Sequence, residues 1–289
     1  MAQEISRSQH LFAAADYLDE HRAPQTEGCR IVITGKGGVG KTTTTALLAN
    51  IFAEMKKNVL TVDEDPQQNL AFSLGFPMDQ AETLVPVSKN LEYIEEKTGA
   101  RPGQGWGAML RINPDVSDVV SRFGLHIAEN INLLVIGSVI QAAAGCLCPE
   151  NALLDSIVRY IRLRNGEIIL MDTQAGVEHF GRALAEGFQH AIILTEPGFN
   201  SVQVALHSAR LAKDLNIPGI HLVVNRCRSQ ADITKVTGYL RDTPFSSITH
   251  LPFDEQVMAT EPNVAGLAQQ STPYVDGVRK LATMLLSAG

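Results

Sequence analysis

Residues 35–42 read Gly-Lys-Gly-Gly-Val-Gly-Lys-Thr and follow directly on the apolar run Ile31-Val32-Ile33-Thr34. The spacing is G-x-x-x-x-G-K-S/T, that of a loop which joins a strand to a helix and wraps around phosphate groups. Glycines allow this because the backbone must approach an anion closely and adopt positive φ, where a Cβ would collide. The backbone of Gly37, Gly38, Val39 and Gly40 and the helix start at Lys41, Thr42 and Thr43 then present N–H groups to the phosphates. Lys41 is placed to neutralise the β- and γ-phosphates, and the Thr42 hydroxyl to ligate Mg²⁺. Gly35, Gly37 and Gly40 also satisfy the weaker dinucleotide pattern G-x-G-x-x-G, with Asp63 near the place of a ribose-binding carboxylate. A dinucleotide fold has no need of the Lys41-Thr42 pair. A nucleoside triphosphate carrying Mg²⁺ does, and that is the ligand expected here.

Three further runs surround this ligand. Val62-Asp63-Glu64-Asp65-Pro66-Gln67 closes the next apolar strand, so its carboxylates face the triphosphate, with Asp63 expected to support the Mg²⁺ shell. A competing structural role is to cap a helix starting near Gln67. Ile168–Asp172 is an apolar strand ending in a carboxylate, which places Asp172 near Mg²⁺ through water. Gly176, a few residues on, can offer its N–H to the γ-phosphate and so sense hydrolysis. In Val223-Val224-Asn225-Arg226-Cys227-Arg228 an arginine stands where guanine-reading Asn-Lys-x-Asp runs have their aspartate. Arginine accepts no hydrogen bond, so adenine, and hence ATP, is the expected base. Pro252-Phe253-Asp254 can complete the base pocket.

Gly145-Cys146-Leu147-Cys148-Pro149-Glu150-Asn151 puts two thiols one residue apart at a helix start, where the helix N-terminus lowers thiolate pKa. One such pair supplies two of the four ligands that Zn²⁺ or Ni²⁺ takes in a tetrahedral or square-planar site. A symmetric homodimer would supply the other two. The alternative is a pair of reduced, unliganded thiols. Cys29 and Cys227 read as ordinary core-edge residues. Four cysteines in 289 residues make no disulfide framework, and a cytoplasmic location is expected.

The elements that must position these residues are legible as alternating runs. Strands are expected over Arg30–Thr34, Asn58–Asp63, Ile131–Ile136, Glu167–Asp172, His190–Thr195 and Ile220–Asn225. Helices are expected over Lys41–Met55, Pro149–Arg164, His179–Phe188, Asn200–Leu215 and Pro273–Leu286. Most of the strands are continuously apolar, as in parallel sheets covered on both faces. The fold class is therefore α/β, a doubly wound, mainly parallel sheet whose ligands bind at the carboxyl ends of the strands. Residues 1–28 form an N-terminal extension with a short helix expected over Gln9–His21. Residues 29–289 form one phosphate-loop ATPase domain, with a loop-rich insertion over residues 96–115. Hydrophobic residues make up 45% of the chain and the formal net charge is −7. The first supports a substantial core; the second argues against a nucleic-acid partner. No apolar run is long enough for a membrane span.

Lys36 at the second loop position marks the deviant phosphate-loop class. The region resembles the family that contains the nitrogenase iron protein, the MinD and ParA ATPases and the arsenite-pump ATPase. That resemblance implies that Lys36 crosses a dimer interface to the partner's nucleotide, as an arginine finger does. It also implies that Asp65 orients the attacking water and that Asn225 contacts adenine. Cys-Leu-Cys-Pro-Glu-Asn, taken with Val-Asp-Glu-Asp-Pro and Asp-Thr-Gln-Ala-Gly-Val-Glu-His, resembles the CooC-type accessory ATPases, which assist nickel insertion into carbon monoxide dehydrogenase. The resemblance implies an ATP- and metal-linked homodimer with Cys146 and Cys148 as interface ligands, and a nickel enzyme as client. Two other functions stay open: an iron–sulfur electron-transfer ATPase of the nitrogenase iron protein type, and a positioning ATPase of the MinD/ParA type.

Overall fold

The computed structural model describes residues 28–65, 67–101, 110–137, 148–163, 166–175, 187–240 and 243–287. All but Gly28 of the expected extension over residues 1–28, with the helix expected over Gln9–His21, and most of the helix expected over His179–Phe188 lie outside them.

The chain alternates between strand and helix because its apolar runs alternate between continuous and helically spaced. The strands are β1 (Cys29–Gly35), β2 (Val59–Asp63), β3 (Leu125–Ala128), β4 (Ile131–Val135), β5 (Ile168–Asp172), β6 (His190–Thr195), β7 (Gly219–Cys227) and β8 (Ser247–Pro252). They form one sheet in the order β3-β4-β2-β5-β1-β6-β7-β8. Every pairing is parallel except β3 with β4.

Buried residues sort alternately to the two faces. Ile31, Ile33, Leu170 and Ile192 join one core cluster, while Val32, Ile169, Met171 and Ile193 join the other. Helices cover both. On the first face α1 (Lys41–Glu54) buries Leu47, Leu48, Ile51 and Phe52. On the other, α6 (Cys148–Leu163) contributes Leu153, Ile157 and Ile161 at helical spacing. Between α1 and α6 run the short helices α2 (Asn69–Ser73), α3 (Met78–Ala81), α4 (Leu91–Thr98) and α5 (Val119–Phe123). After them come α7 (Phe199–Asp214), α8 (Gln230–Tyr239), α9 (Glu255–Thr260) and α10 (Pro273–Ser287). The helix α10 packs Tyr274, Val278, Leu281 and Leu285 onto the first core.

The six strands and four of the helices expected from the sequence are present. Two edge strands were not legible. In β3 burial alternates between half-buried and exposed, and β8 carries Ser247, Thr249 and His250, so neither shows a continuous apolar run. The expected insertion over residues 96–115 starts too early. The helix α4 runs on to Thr98, capped by the Asn90 side chain at one end and by Gly99 at the other. The helix α8 begins with a capping box between Ser229 and Asp232.

At the amino ends of β6 and β7, His190 Nδ1 lies 3.0 Å from His221 Nε2, and His221 Nδ1 lies 2.8 Å from Ser247 Oγ. Both rings are buried. Burial, then the neighbouring His190, lowers His221 from its ordinary 6.5 to about 4. In the unfolded chain the imidazole titrates at its ordinary value, so the unfolded state binds more protons between these two values. The pair's contribution is complete above about pH 6.5 and is lost as pH falls towards about 4. His221→Gln is expected to remove this slope. Urea midpoints of wild type and variant, followed from about pH 7 to about pH 4, should converge on acidification.

Candidate functional site

The site grows out of the end of β1. Gly35 has φ 148°, and a Cβ there would lie 2.4 Å from the Leu194 carbonyl oxygen on β6. Glycine is thus required by the closeness of two strands. The loop turns over Lys36 to Val39 and enters α1 through Gly40, which has φ 93°. A Cβ on Gly40 would lie 2.5 Å from Asn225 Nδ2. Lys36, Gly37 and Gly38 are exposed, whereas Lys41 is buried. The Lys41 ammonium donates to the carbonyls of Gly35 and Lys36, both at 3.3 Å. Burial lowers the Lys41 pKa, while Asp172 and then Asp65 pull it back up.

Below the loop, the Thr42 hydroxyl donates to Asp172 Oδ2 at 2.7 Å. Asp172 is raised from its ordinary 3.8 to about 7, burial being the largest cause. Its register partner across β2 and β5 is Asp63, which is also raised, by burial and then by Asp172. Asp63 Oδ1 accepts from the Asp65 N–H at 2.9 Å, and its Oδ2 accepts from the Leu70 N–H in the first turn of α2 at 3.2 Å. The helix-capping role weighed for this run thus falls to Asp63. Asp65 Oδ1 accepts from the Gln67 N–H at 2.9 Å, and its side chain lines the same cleft as Lys41, Thr42 and Gln174, a space of about 810 Å³. Thr42, Asp172 and Asp63 offer hard oxygen donors, and a divalent cation would favour ionisation of the two neighbouring carboxyls, which burial disfavours. The donor set fits Mg²⁺.

The base-reading residues also converge. Gly40, Asn225, Pro252, Asp254 and Tyr274 line one cavity. Its volume of about 10 Å³ holds roughly one water, so a base enters only if the lining moves. Asn225 is held at both ends of its amide: Nδ2 donates to the Val39 carbonyl at 2.8 Å, and Oδ1 accepts from the Arg226 N–H at 2.8 Å. The Arg228 guanidinium sits 3.8 Å from the Phe253 ring centroid, stacked rather than aimed at a base.

Sequence reading missed Glu261, whose Oε1 accepts from Thr43 Oγ1 at 3.0 Å, and Tyr274, buried at the base cavity. It also missed the Arg226–Glu196 pair beside the loop. None carries a local pattern; tertiary packing alone brings them there. Gly176 and Cys146 lie outside the described residues. Cys148 is the first residue of α6, and its side chain lies outside them too. Among the described residues no group of three or more His, Cys, Asp or Glu is arranged to hold a metal ion. Cys29 and Cys227 are buried, with burial raising each thiol to about 11.

A phosphate loop at the carboxyl end of the central strand of a doubly wound sheet, with buried Lys41 and Asp172 and half-buried Thr42 gathered beneath it, defines a nucleotide-binding domain. Residues 31–263 match the CobQ/CobB/MinD/ParA nucleotide-binding domain family, and the chain belongs to that family. It is 36% identical to the carbon monoxide dehydrogenase accessory protein CooC of Rhodospirillum rubrum, over 80% of this chain and 86% of that one. It is also 36% identical to an ATP-binding protein of Methanocaldococcus jannaschii, over 80% and 88% of the two chains. Among solved structures, MinD in the MinC:MinD complex of Aquifex aeolicus has the same fold, with a TM-score of 0.65 at 19% identity over 90% and 96% of the two chains. No helix among the described residues is long and apolar enough to cross a membrane.

Asp172→Asn removes a carboxylate that folding drives into the interior. A folded value of about 7 against an ordinary 3.8 means that the cost of ionising it grows as pH rises through that interval. The variant is expected to be more stable than wild type without nucleotide at about pH 8, by on the order of 1–2 kcal/mol. It should lose most Mg²⁺-dependent nucleotide affinity. Thermal melts with and without Mg²⁺ and nucleotide measure both.

Proposed function

We propose that this protein is a dimeric Mg²⁺-dependent ATPase that serves as a maturation factor, delivering nickel to a client enzyme of the carbon monoxide dehydrogenase type. The observation that carries the ATPase part is the Thr42–Asp172 contact of 2.7 Å beneath a loop whose lysine is buried beside it. The likeness to the CooC accessory protein over most of both chains, together with Cys146 and Cys148, supports the nickel part.

In this reading the loop N–H groups and Lys41 hold the β- and γ-phosphates of ATP. Thr42 and Asp172 hold Mg²⁺, directly or through water, with Asp63 beside them, and Mg²⁺ would neutralise charge developing on the phosphates. Asp65 orients the attacking water, and Lys36, exposed at the loop tip, reaches the partner protomer's nucleotide. Asn225 and Pro252 border the adenine once the base cavity opens. The N–H of Gly176 reports the γ-phosphate. The Cys146 and Cys148 pairs of two protomers close on one cargo ion, Ni²⁺, or on Zn²⁺ as a structural tie.

Lys36→Ala should bind ATP within about tenfold of wild type and hydrolyse it on the order of 10³-fold more slowly. Steady-state phosphate release alongside a binding titration separates the two, and unimpaired turnover would remove the trans role. The double variant Cys146→Ser, Cys148→Ser should lose stoichiometric metal and metal-induced dimerisation. Elemental analysis and light scattering, run anaerobically with Ni²⁺ or Zn²⁺ and with ATP or ADP, test this; unchanged metal content would refute the shared site.

A further inference from the structure

The strand β7 does not run regularly to its end. Its pairing with β8 slips between Val224 and Cys227, and Arg226 inside the slip has φ 57°, a left-handed conformation unfavourable for a residue with a Cβ. In a regular strand successive side chains point to opposite faces. A bulge re-aims them, and here it turns two adjacent side chains onto the phosphate loop.

Asn225 Nδ2 donates to the Val39 carbonyl at 2.8 Å. Arg226 Nη1 donates to the Gly38 carbonyl at 3.1 Å and to Glu196 Oε1 at 2.6 Å. Glu196 is itself fixed, since its N–H donates to the buried Ser201 Oγ at 3.0 Å. Two consecutive carbonyls of the loop are therefore drawn towards the end of β7. In a trans peptide the C=O and the N–H point in opposite directions. Fixing the carbonyls of Gly38 and Val39 thus turns the N–H groups of Val39 and Gly40 away from β7, into the concave side of the loop.

We propose that Arg226 is a positioning residue for nucleotide binding: the β7 bulge presents it so that, with Asn225, it sets the loop's N–H groups before the phosphates arrive. The inference rests on the nucleotide-binding reading above. Its benefit is preorganisation, since a loop already turned needs no ordering on binding. Arg226 borders both the cleft and the base cavity, and the role proposed for it is exercised through the loop carbonyls that it and Asn225 hold.

The test is calorimetric titration of the full chain with Mg-ATP and Mg-ADP, alongside nucleotide-free melting curves. Arg226→Gly keeps the left-handed backbone without strain and removes only the side chain. It should lose about tenfold or more in affinity for both nucleotides, with the nucleotide-free melting temperature unchanged, because a half-exposed ion pair contributes little to stability. Arg226→Lys, which can reach one acceptor but lacks the fork, should recover part of the loss. Wild-type affinity in Arg226→Gly overturns the proposal. A loss confined to ATP also overturns it, because that would mark direct contact with the γ-phosphate. A loss matched by a lower nucleotide-free melting temperature reduces Arg226 to a general prop and overturns it as well. Should wild type bind neither nucleotide, the reading under Proposed function falls first.

Discussion

Two carboxyl groups buried side by side govern this molecule. Asp63 and Asp172 end neighbouring parallel strands as register partners, and both side chains are almost wholly removed from water. Burial disfavours the charged form of each; Asp172 further disfavours ionisation of Asp63, and Asp65 that of Asp172. The surroundings offset part of this cost: two backbone N–H groups hold Asp63, and the Thr42 hydroxyl holds Asp172. Burial lowers the pKa of the Lys41 ammonium, and Asp172 opposes that shift. What remains are two carboxyls held back from ionisation at the head of the loop, in a place apolar residues would stabilise better. Such a deficit makes sense where a cation belongs, and stability given up at a binding site is a common exchange.

The fold makes that deficit tolerable by distributing the rest of the core around it. Because β1, β2, β5 and β6 are covered on both faces, their carboxyl ends are where polar groups can gather without breaking the two apolar layers. The strand β1 lies between β5 and β6, so the loop leaving it meets the Asp172 carboxylate of β5 on one side and main chain from β6 on the other. The 2.4 Å approach of a hypothetical Gly35 Cβ to the Leu194 carbonyl shows how little room this leaves. The glycines of the motif therefore answer to the sheet as much as to the phosphates.

This explains which features could be read from sequence. The six central strands were legible because parallel strands buried on both faces are continuous apolar runs. The edges were not: β3 and β8 are half exposed, and their mixed composition resembles loop. The phosphate loop was legible because its chemistry is local. Asp63 was read as supporting the Mg²⁺ shell from its place at a strand end, and its two oxygens also each accept a backbone N–H. Only the turn that brings Leu70 back over β2 creates that arrangement. Arg226, Glu196, Glu261 and Tyr274 come from elements far apart in the chain, and a bulge or a helix docking determines their direction. No periodicity encodes such placements. The extension and the cysteine-bearing segment lie outside the described residues, and their readings stay with the sequence.

Asp63 also bears on how nucleotide chemistry could reach the cysteines. Its side chain fixes the backbone of Asp65, the residue read as orienting the attacking water. Its carbonyl oxygen accepts from the N–H groups of Ile136 and Gly137, at 2.9 and 3.1 Å. Gly137 is the last described residue before the segment that carries Cys146. One residue therefore joins the turn at Asp65 to Ile136 and Gly137, at the end of the described residues that precede Cys146. Coupling between sites needs a physical element that both can bias. If hydrolysis moves Asp65, as the proposed function requires, the Asp63 carboxylate that accepts from its N–H would move with it, and with Asp63 the hydrogen bonds at Ile136 and Gly137. Because binding linkage is reciprocal, a metal held at Cys146 and Cys148 would act back along the same bonds on the affinity for nucleotide.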